Sequence, residues 1–438
     1  MRLTVGVQRR LTLAWILLGI GALIASGLLA LALVLSRTPA LQDIVPWVAS
    51  FKTALVIHVD LSVVIWFLAF SGVLWSLAGD ARFAALGWAG LALSALGTLA
   101  MALTPFVGAD PQPVLNNYIP VLDTGLFLTG LTLVAIGYAL TVTRALLTVR
   151  AQSLGGYGTA LFLGAITAAI ALMAFGWSTL MTPRTMEIEP YYELLFWGGG
   201  HTLQFVHVFL VGAIWAWATG VRPRTASIAF FVAAAPALLA PVIYFMHELD
   251  TAGFRLGFTR LMQYGHLGIL PLVLLVFMAL KDGGWRPQLA APGRAALVCS
   301  LGLFAVGGVL GFLITGVNVV IPAHYHGSIV GVTLAFMGLI YYLLPGLGFP
   351  VTHVRLATLQ PYLYGGGQLL HVFGLAWSGG HGVQRKVAGA AQNLDSFSQL
   401  AGMALMGIGG TIAVVGGVLF LGLVIHALWP RRDTPRRS

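Results

Sequence analysis

Two histidines flank one tyrosine at the head of the apolar segment "PAHYHGSIVGVTLAFMGLIYYLLP", residues 322–345. A helix turns about 100° per residue, so positions two apart face roughly 200° away from each other. His324 and His326 therefore cannot hold one metal from one helix face. Either they serve two sites on opposite sides, or they are incidental polar residues at a membrane boundary. His58, His201 and His247 also sit near the ends of apolar runs. The single cysteine, Cys299, lies inside such a run, which excludes a disulfide framework or a cysteine-based metal or iron–sulfur site within the chain. Any metal falls to histidine or carboxylate.

The elements that carry these residues are membrane helices. Of 438 residues 58% are hydrophobic and 8% charged, with mean hydropathy +0.92, far outside the range of soluble globular proteins. Apolar runs predict twelve spans, near 11–36, 50–78, 84–106, 118–143, 156–181, 192–219, 226–247, 256–280, 295–318, 322–346, 354–378 and 398–428. The first is longer than a signal-peptide core and lacks a cleavage pattern, so it is expected to be a retained helix. Connections are short and rich in Gly, Pro, Arg and Asp. The expected fold is all-α, a twelve-helix polytopic membrane protein with residues 1–438 forming one membrane domain.

The net charge of +10 follows topology rather than nucleic-acid binding, because the cations lie in short loops and tails. With the N-terminus inside, the outer segments keep only Arg37, Lys52, Arg184, Arg255, Arg260, Arg385 and Lys386 of the 23 Lys and Arg residues. That bias predicts both termini in the cytoplasm and a multi-pass protein of the inner (plasma) membrane. In this topology His58, His201, His247, His324 and His326 gather from four helices in the outer half of the membrane. Intramembrane ionisable residues are costly, and five at one level point to function rather than to isolated polar packing.

Neutral imidazole is the usual axial ligand of haem iron. A His-x-His helix between two macrocycles can give one residue to each. His326 would then pair with His58 across a six-coordinate haem, and His324 would leave a five-coordinate haem an open face for a small gas.

These residues resemble subunit I of the haem-copper oxidase superfamily, which includes cytochrome c oxidase and nitric oxide reductase catalytic subunits. "AHYHGSIVG" is similar to the family's haem-bridging tenth helix, "LLFWGGGHTLQF" to its sixth, and "IHVDLSVVIWFLAFSG" to its second. "LAWSGGHGVQRKVAG" resembles the glycine-rich basic segment after the eleventh helix. The resemblance runs over essentially the whole chain and implies a twelve-helix bundle holding two haems. It implies His58 and His326 on the low-spin haem, His324 on the active-site haem, and His201 on a second metal, copper or non-haem iron. Arg385 and Lys386 match the propionate-binding position, where cations meet carboxylates; as ordinary residues they would be a solvated outer loop.

Departures are concentrated at the second metal. Where the family has paired histidines on helix seven, this chain reads "VIYFMHELD". The expected site is His201, His247 and Glu248, a set with one hard oxygen donor; the competing expectation is an incomplete or absent metal. Position 205, four after the helix-six histidine, is Phe instead of the tyrosine most oxidases carry. Tyr244 is the candidate substitute, against a simple packing role. His207, about 120° around the helix from His201, is read as a supporting or packing residue, and His266 as polar lining. His353, His371, His381 and His426 are expected nearer loops or helix ends and receive no ligand role. A carboxylate and a lysine of the inner proton channels are missing, whereas Asp123, Glu187, Glu189, Glu193, Glu248 and Asp250 lie toward the outer side.

The leading expectation is a respiratory terminal oxidase passing electrons from an outer cytochrome c-like donor or partner subunit to O2, by way of a low-spin haem. NO reduction to N2O is the alternative within the family, favoured by Phe205 and the outer carboxylates. From other classes come a non-catalytic haem electron carrier or gas sensor, motivated by "HELD", and a transporter, motivated only by the helix count. Membrane lipid surrounds the chain, and no nucleic-acid partner is expected.

Overall fold

A computed structural model describes residues 6–41, 50–107 and 112–429. Arg2 and the tail cations Arg431, Arg432, Arg436 and Arg437, which contributed to the topology expectation, lie outside these residues. The helices, in order, are α1 Val7–Leu35, α2 Phe51–Ala78, α3 Ala84–Phe106, α4 Gly125–Thr148, α5 Gly158–Met181, α6 Ile188–Thr219, α7 Pro223–Met246, α8 Ala252–Lys281, α9 Ala291–Phe312, α10 Val320–Gly346, α11 Val354–Gly380 and α12 Phe397–Leu428. Among the described residues eleven are long and apolar enough to cross a membrane. The exception is α11, which forms where the eleventh span was expected but carries Arg355, Gln360, Gln368 and His371.

Consecutive helices pack as neighbours: α1 with α2, α3 with α4, α5 with α6, α9 with α10 and α11 with α12. Short connections favour that arrangement. Two helices are central, for 83% of the apolar window of both α6 and α10 is buried, against 22% for α8. Their polar residues therefore face protein, while side chains such as Leu28, Leu180 and Phe245 stand exposed on the bundle's rim. With no hydrophobic drive between helices in lipid, close packing of small residues holds such bundles together. Gly307 of α9 and Gly327 of α10 illustrate it. A Cβ on Gly307 would lie 2.6 Å from the Gly327 carbonyl carbon and 2.5 Å from Ser328 Oγ, so the two backbones touch only because neither carries a side chain.

Two irregularities matter for the site. Residues Asp60–Ile65 of α2 form a π-helical stretch, and such bulges often mark functional positions. Just before it, the carbonyl of His58 accepts from the hydroxyls of Ser62 at 2.6 Å and Ser26 at 3.2 Å. In α7 the helix breaks at Leu238–Leu239 and resumes as Ala240–Met246. Pro241 at the start of the second piece has no N–H to continue the ladder. Outside the helices, β1 Pro113–Val114 pairs antiparallel with β2 Val121–Leu122, closing a small hairpin whose loop carries Tyr118.

Candidate functional site

His324 and His326 leave α10 in opposite directions, as their spacing requires. Nδ1 of His324 lies 2.7 Å from the carbonyl of Gly307, an approach the glycine contact between α9 and α10 permits. A carbonyl only accepts, so Nδ1 carries the proton and Nε2 presents a lone pair. His326 puts Nδ1 3.3 Å from Gln368 Oε1 on α11 and packs its ring 4.5 Å from that of His371. His371 is itself buried, with Nδ1 bonded to the Met406 carbonyl at 3.0 Å. It therefore lies deep beside His326 and not near a helix end, as the sequence reading had it.

His58 on α2 is oriented from α1. Its Nδ1 lies 2.9 Å from Ser26 Oγ and 3.1 Å from the Ser26 carbonyl. His58 and His326 lie within electrostatic reach of each other. Among the described residues, Nε2 of His58, His324 and His326 makes no hydrogen bond, and all three side chains are half-buried. Three imidazoles thus share one state, with Nδ1 tied back and Nε2 directed away from the anchoring partner. That is the arrangement by which proteins fix a metal-binding tautomer.

His201 differs. It is buried on α6, with Nδ1 2.7 Å from the carbonyl of Trp197 and Nε2 2.7 Å from the hydroxyl of Tyr118. His247 stands in the turn after α7, in extended backbone (φ −140°, ψ 140°), against Gly253. Glu248 is exposed, its carbonyl accepting from Thr251, the N-cap of α8. Among the described residues no three His, Cys, Asp or Glu side chains are grouped to hold a metal ion. The structure therefore does not bring His201, His247 and Glu248 together. Tyr244 turns its hydroxyl to Ser178 Oγ at 2.9 Å and the Ala174 carbonyl at 3.2 Å, which is the packing role.

Two further histidines line the same region. His266 stacks on Phe205 at 4.2 Å and lies within electrostatic reach of His201, His207 and His324. His207 meets Phe67 edge-on at 4.6 Å, and its Nε2 is buried without a hydrogen-bond partner among the described residues.

Beyond these, where the α11–α12 connection meets the 113–122 hairpin, sits a polar layer. Arg385 donates to Asn117 Oδ1 at 2.8 Å and lies near the Tyr325 hydroxyl, while its Nε is buried without a partner. Asn117 is held in turn by both carboxylate oxygens of Glu193. Lys386 donates to the Leu115 carbonyl and occupies the left-handed region at φ 63°, a strained backbone of the kind that collects at binding sites. Burial, with the neighbouring Arg385 charge, lowers the Lys386 ammonium to about 8. Two cations gathered there, one with an unused buried donor, make a setting for carboxylates. Tyr118, Tyr325, Ser26 and Gln368 were not singled out from sequence. Only the "NNY" before Pro120 offered a signal, an Asx turn in a hairpin loop.

Residues 10–419 match the family described as cytochrome c and quinol oxidase polypeptide I. An uncharacterised protein of Rickettsia prowazekii (strain Madrid E) is 31% identical over 93% of this chain and 94% of its own length. Another, from Aquifex aeolicus (strain VF5), is 27% identical over 76% of this chain and 85% of its own. The fold is similar to that in a cryo-EM structure of a heme-copper terminal oxidase dimer, with TM-score 0.73 and 16% identity over 98% of this chain and 86% of that one. The chain is thus an integral membrane protein that belongs to the haem-copper oxidase subunit I family.

Proposed function

We propose that this protein passes electrons from a donor on the outer side of the membrane to O2 bound within the bundle. His58 and His326 would hold a low-spin haem between α2 and α10, and His324 a second haem with one face open. The observation that carries this reading is the common state of the three imidazoles, each with Nδ1 engaged and Nε2 free of hydrogen bonds among the described residues. When bound, the two haems supply one-electron redox chemistry and an iron coordination position for a gas.

The chain's own contribution is positional. Ser26 and Gly307 fix the ring orientation and tautomer of His58 and His324, which keeps each lone pair aimed without reorganisation. Arg385, with its unpaired buried Nε, and Lys386 would take the haem carboxylates on the outer side. Asn117 and Glu193 hold Arg385 in place for that contact. Asp123, which accepts from Tyr192 at 2.9 Å, and Glu193 stand on the outer side, where protons for the reduction would enter.

Purified protein in detergent tests the reading. Two haems per chain are expected, one low-spin and one that takes up CO on reduction, with O2 consumed in the presence of a reduced donor. His324→Ala should lose the CO-binding haem and keep the low-spin band, whereas His326→Ala should lose the low-spin band. Loss of the low-spin band from His324→Ala would overturn the assignment. NO reduction is the second reading, favoured by Phe205 at the usual tyrosine position and its stacking on His266. Faster consumption of NO than of O2 by the same preparation would select it. Two haems with neither activity would leave the electron carrier or gas sensor.

A further inference from the structure

Both ring nitrogens of His201 are already in use. The Trp197 carbonyl accepts only, so Nδ1 bears the proton and Nε2 has just its lone pair. The Tyr118 hydroxyl at 2.7 Å can only donate into that lone pair. A metal at His201 would need the same electrons.

The tyrosine is built in. Its ring lies over Gly200, where a Cβ would come within 2.6 Å of Tyr118 Cβ and Cδ1, and it meets Trp197 edge-on at 5.8 Å. Asn116 Oδ1 accepts from the backbone N–H groups of Tyr118 at 3.0 Å and Ile119 at 2.9 Å. Asn117 is clamped by Glu193 and Arg385. The loop is therefore pinned on both sides of the residue. Its hydroxyl has no easy way out of the way of a metal.

No other ligands compensate. His247 belongs to a turn, Glu248 is exposed, and among the described residues no group of three ligating side chains exists. The pair adjoins the histidine cluster: Tyr118 Oη lies 3.9 Å from Met262 Sδ, and His266, whose Nδ1 bonds the Met262 carbonyl at 2.9 Å, stacks on Phe205. His266 lies within electrostatic reach of both His201 and His324, and Tyr118 within reach of Tyr325, the residue after His324.

We propose that this chain holds no second metal, and that the Tyr118–His201 pair instead forms the polar wall of a pocket for a neutral diatomic gas. This rests on the reading of His324 as the ligand of an open-faced haem. A hydrogen-bonded hydroxyl and imidazole give the bound gas a fixed dipole where the family places a cation. The two differ most in the field felt by the ligand.

The test uses the purified two-haem protein after incubation with copper(I) or iron(II) and removal of excess. Elemental analysis should find no copper and no iron beyond that of the haems. Electron paramagnetic resonance of the oxidised protein should show the axial high-spin ferric signal at full intensity, because no paramagnetic neighbour couples to it. Copper or non-haem iron stoichiometric with the chain, or a silent high-spin haem, would overturn the proposal. In the reduced CO adduct, Tyr118→Phe should shift the C–O stretch while leaving the low-spin band unchanged. An unshifted stretch would show that the pair does not face the gas. If reduced wild-type protein binds no CO while metal analysis shows no excess metal, the reading of His324 fails and the metal-free site stands.

Discussion

Ser26 on α1 grips His58 on α2 twice, by its hydroxyl at 2.9 Å and by its carbonyl at 3.1 Å from the same Nδ1. The serine hydroxyl also lies 3.2 Å from the His58 carbonyl, to which it donates. Its lone pairs are therefore turned to the imidazole N–H. One residue, through its carbonyl and its side chain together, sets both the tautomer and the rotation of the ring.

Replacing Ser26 with Ala should leave the carbonyl contact and keep the low-spin haem. Losing one acceptor makes the imidazole a weaker donor to iron and destabilises the ferric state, so the low-spin potential should rise. If the lost bond is worth about 1 kcal/mol more in the oxidised form, the rise is about 40 mV for a one-electron couple. Redox titration of the low-spin band measures it, and a fall in potential would contradict the orientation given to the serine.

Gly200→Ala should drive Tyr118 out of its seat, because the new Cβ would overlap the tyrosine ring. Overpacking of this kind costs about 1–3 kcal/mol. Thermal unfolding in detergent should therefore fall below wild type, and the C–O stretch should move in the same direction as in Tyr118→Phe. A Gly200→Ala protein with unchanged stability and an unchanged stretch would mean that the tyrosine does not depend on that space.

Lys386 gives a pH dependence. Its ammonium falls from the ordinary value of 10.5 to about 8, through burial first and Arg385 second, with Glu193 and Glu189 opposing. Between these values the unfolded chain binds more protons than the folded one, so stability rises as pH increases from about 8 to 10.5. Haem-free wild-type protein should show that rise in its unfolding temperature and Lys386→Met should lack it. Carboxylates docked at Arg385 and Lys386 would favour the charged lysine, so haem-loaded protein should show a shallower slope. Equal slopes in the two preparations would argue against carboxylates at this position.

The histidine spacing and the hydropathy record carried most of the fold. Alternation of long apolar runs with short polar connections determines where helices begin, because backbone groups in lipid must be satisfied within each segment. Eleven of the spans appear as apolar helices, and α11 forms in the expected place. The opposed faces of His324 and His326 follow from helix geometry alone. So does the failure of His207 to share a direction with His201. His371 was misplaced in depth, since its environment depends on α10 and α12 and not on its distance along α11.

Composition, periodicity and the His-x-His spacing by themselves determined a helical membrane bundle and the opposed faces of His324 and His326. Tertiary structure decided which nitrogen of each ring is free, because that depends on partners far away in the chain: Ser26 for His58, Gly307 for His324, Gln368 for His326 and Tyr118 for His201. It also decided that "HELD" is a turn with Glu248 exposed. A hydrogen bond is satisfied by distance and direction in space, and those become fixed only when the helices and the Tyr118 loop pack together.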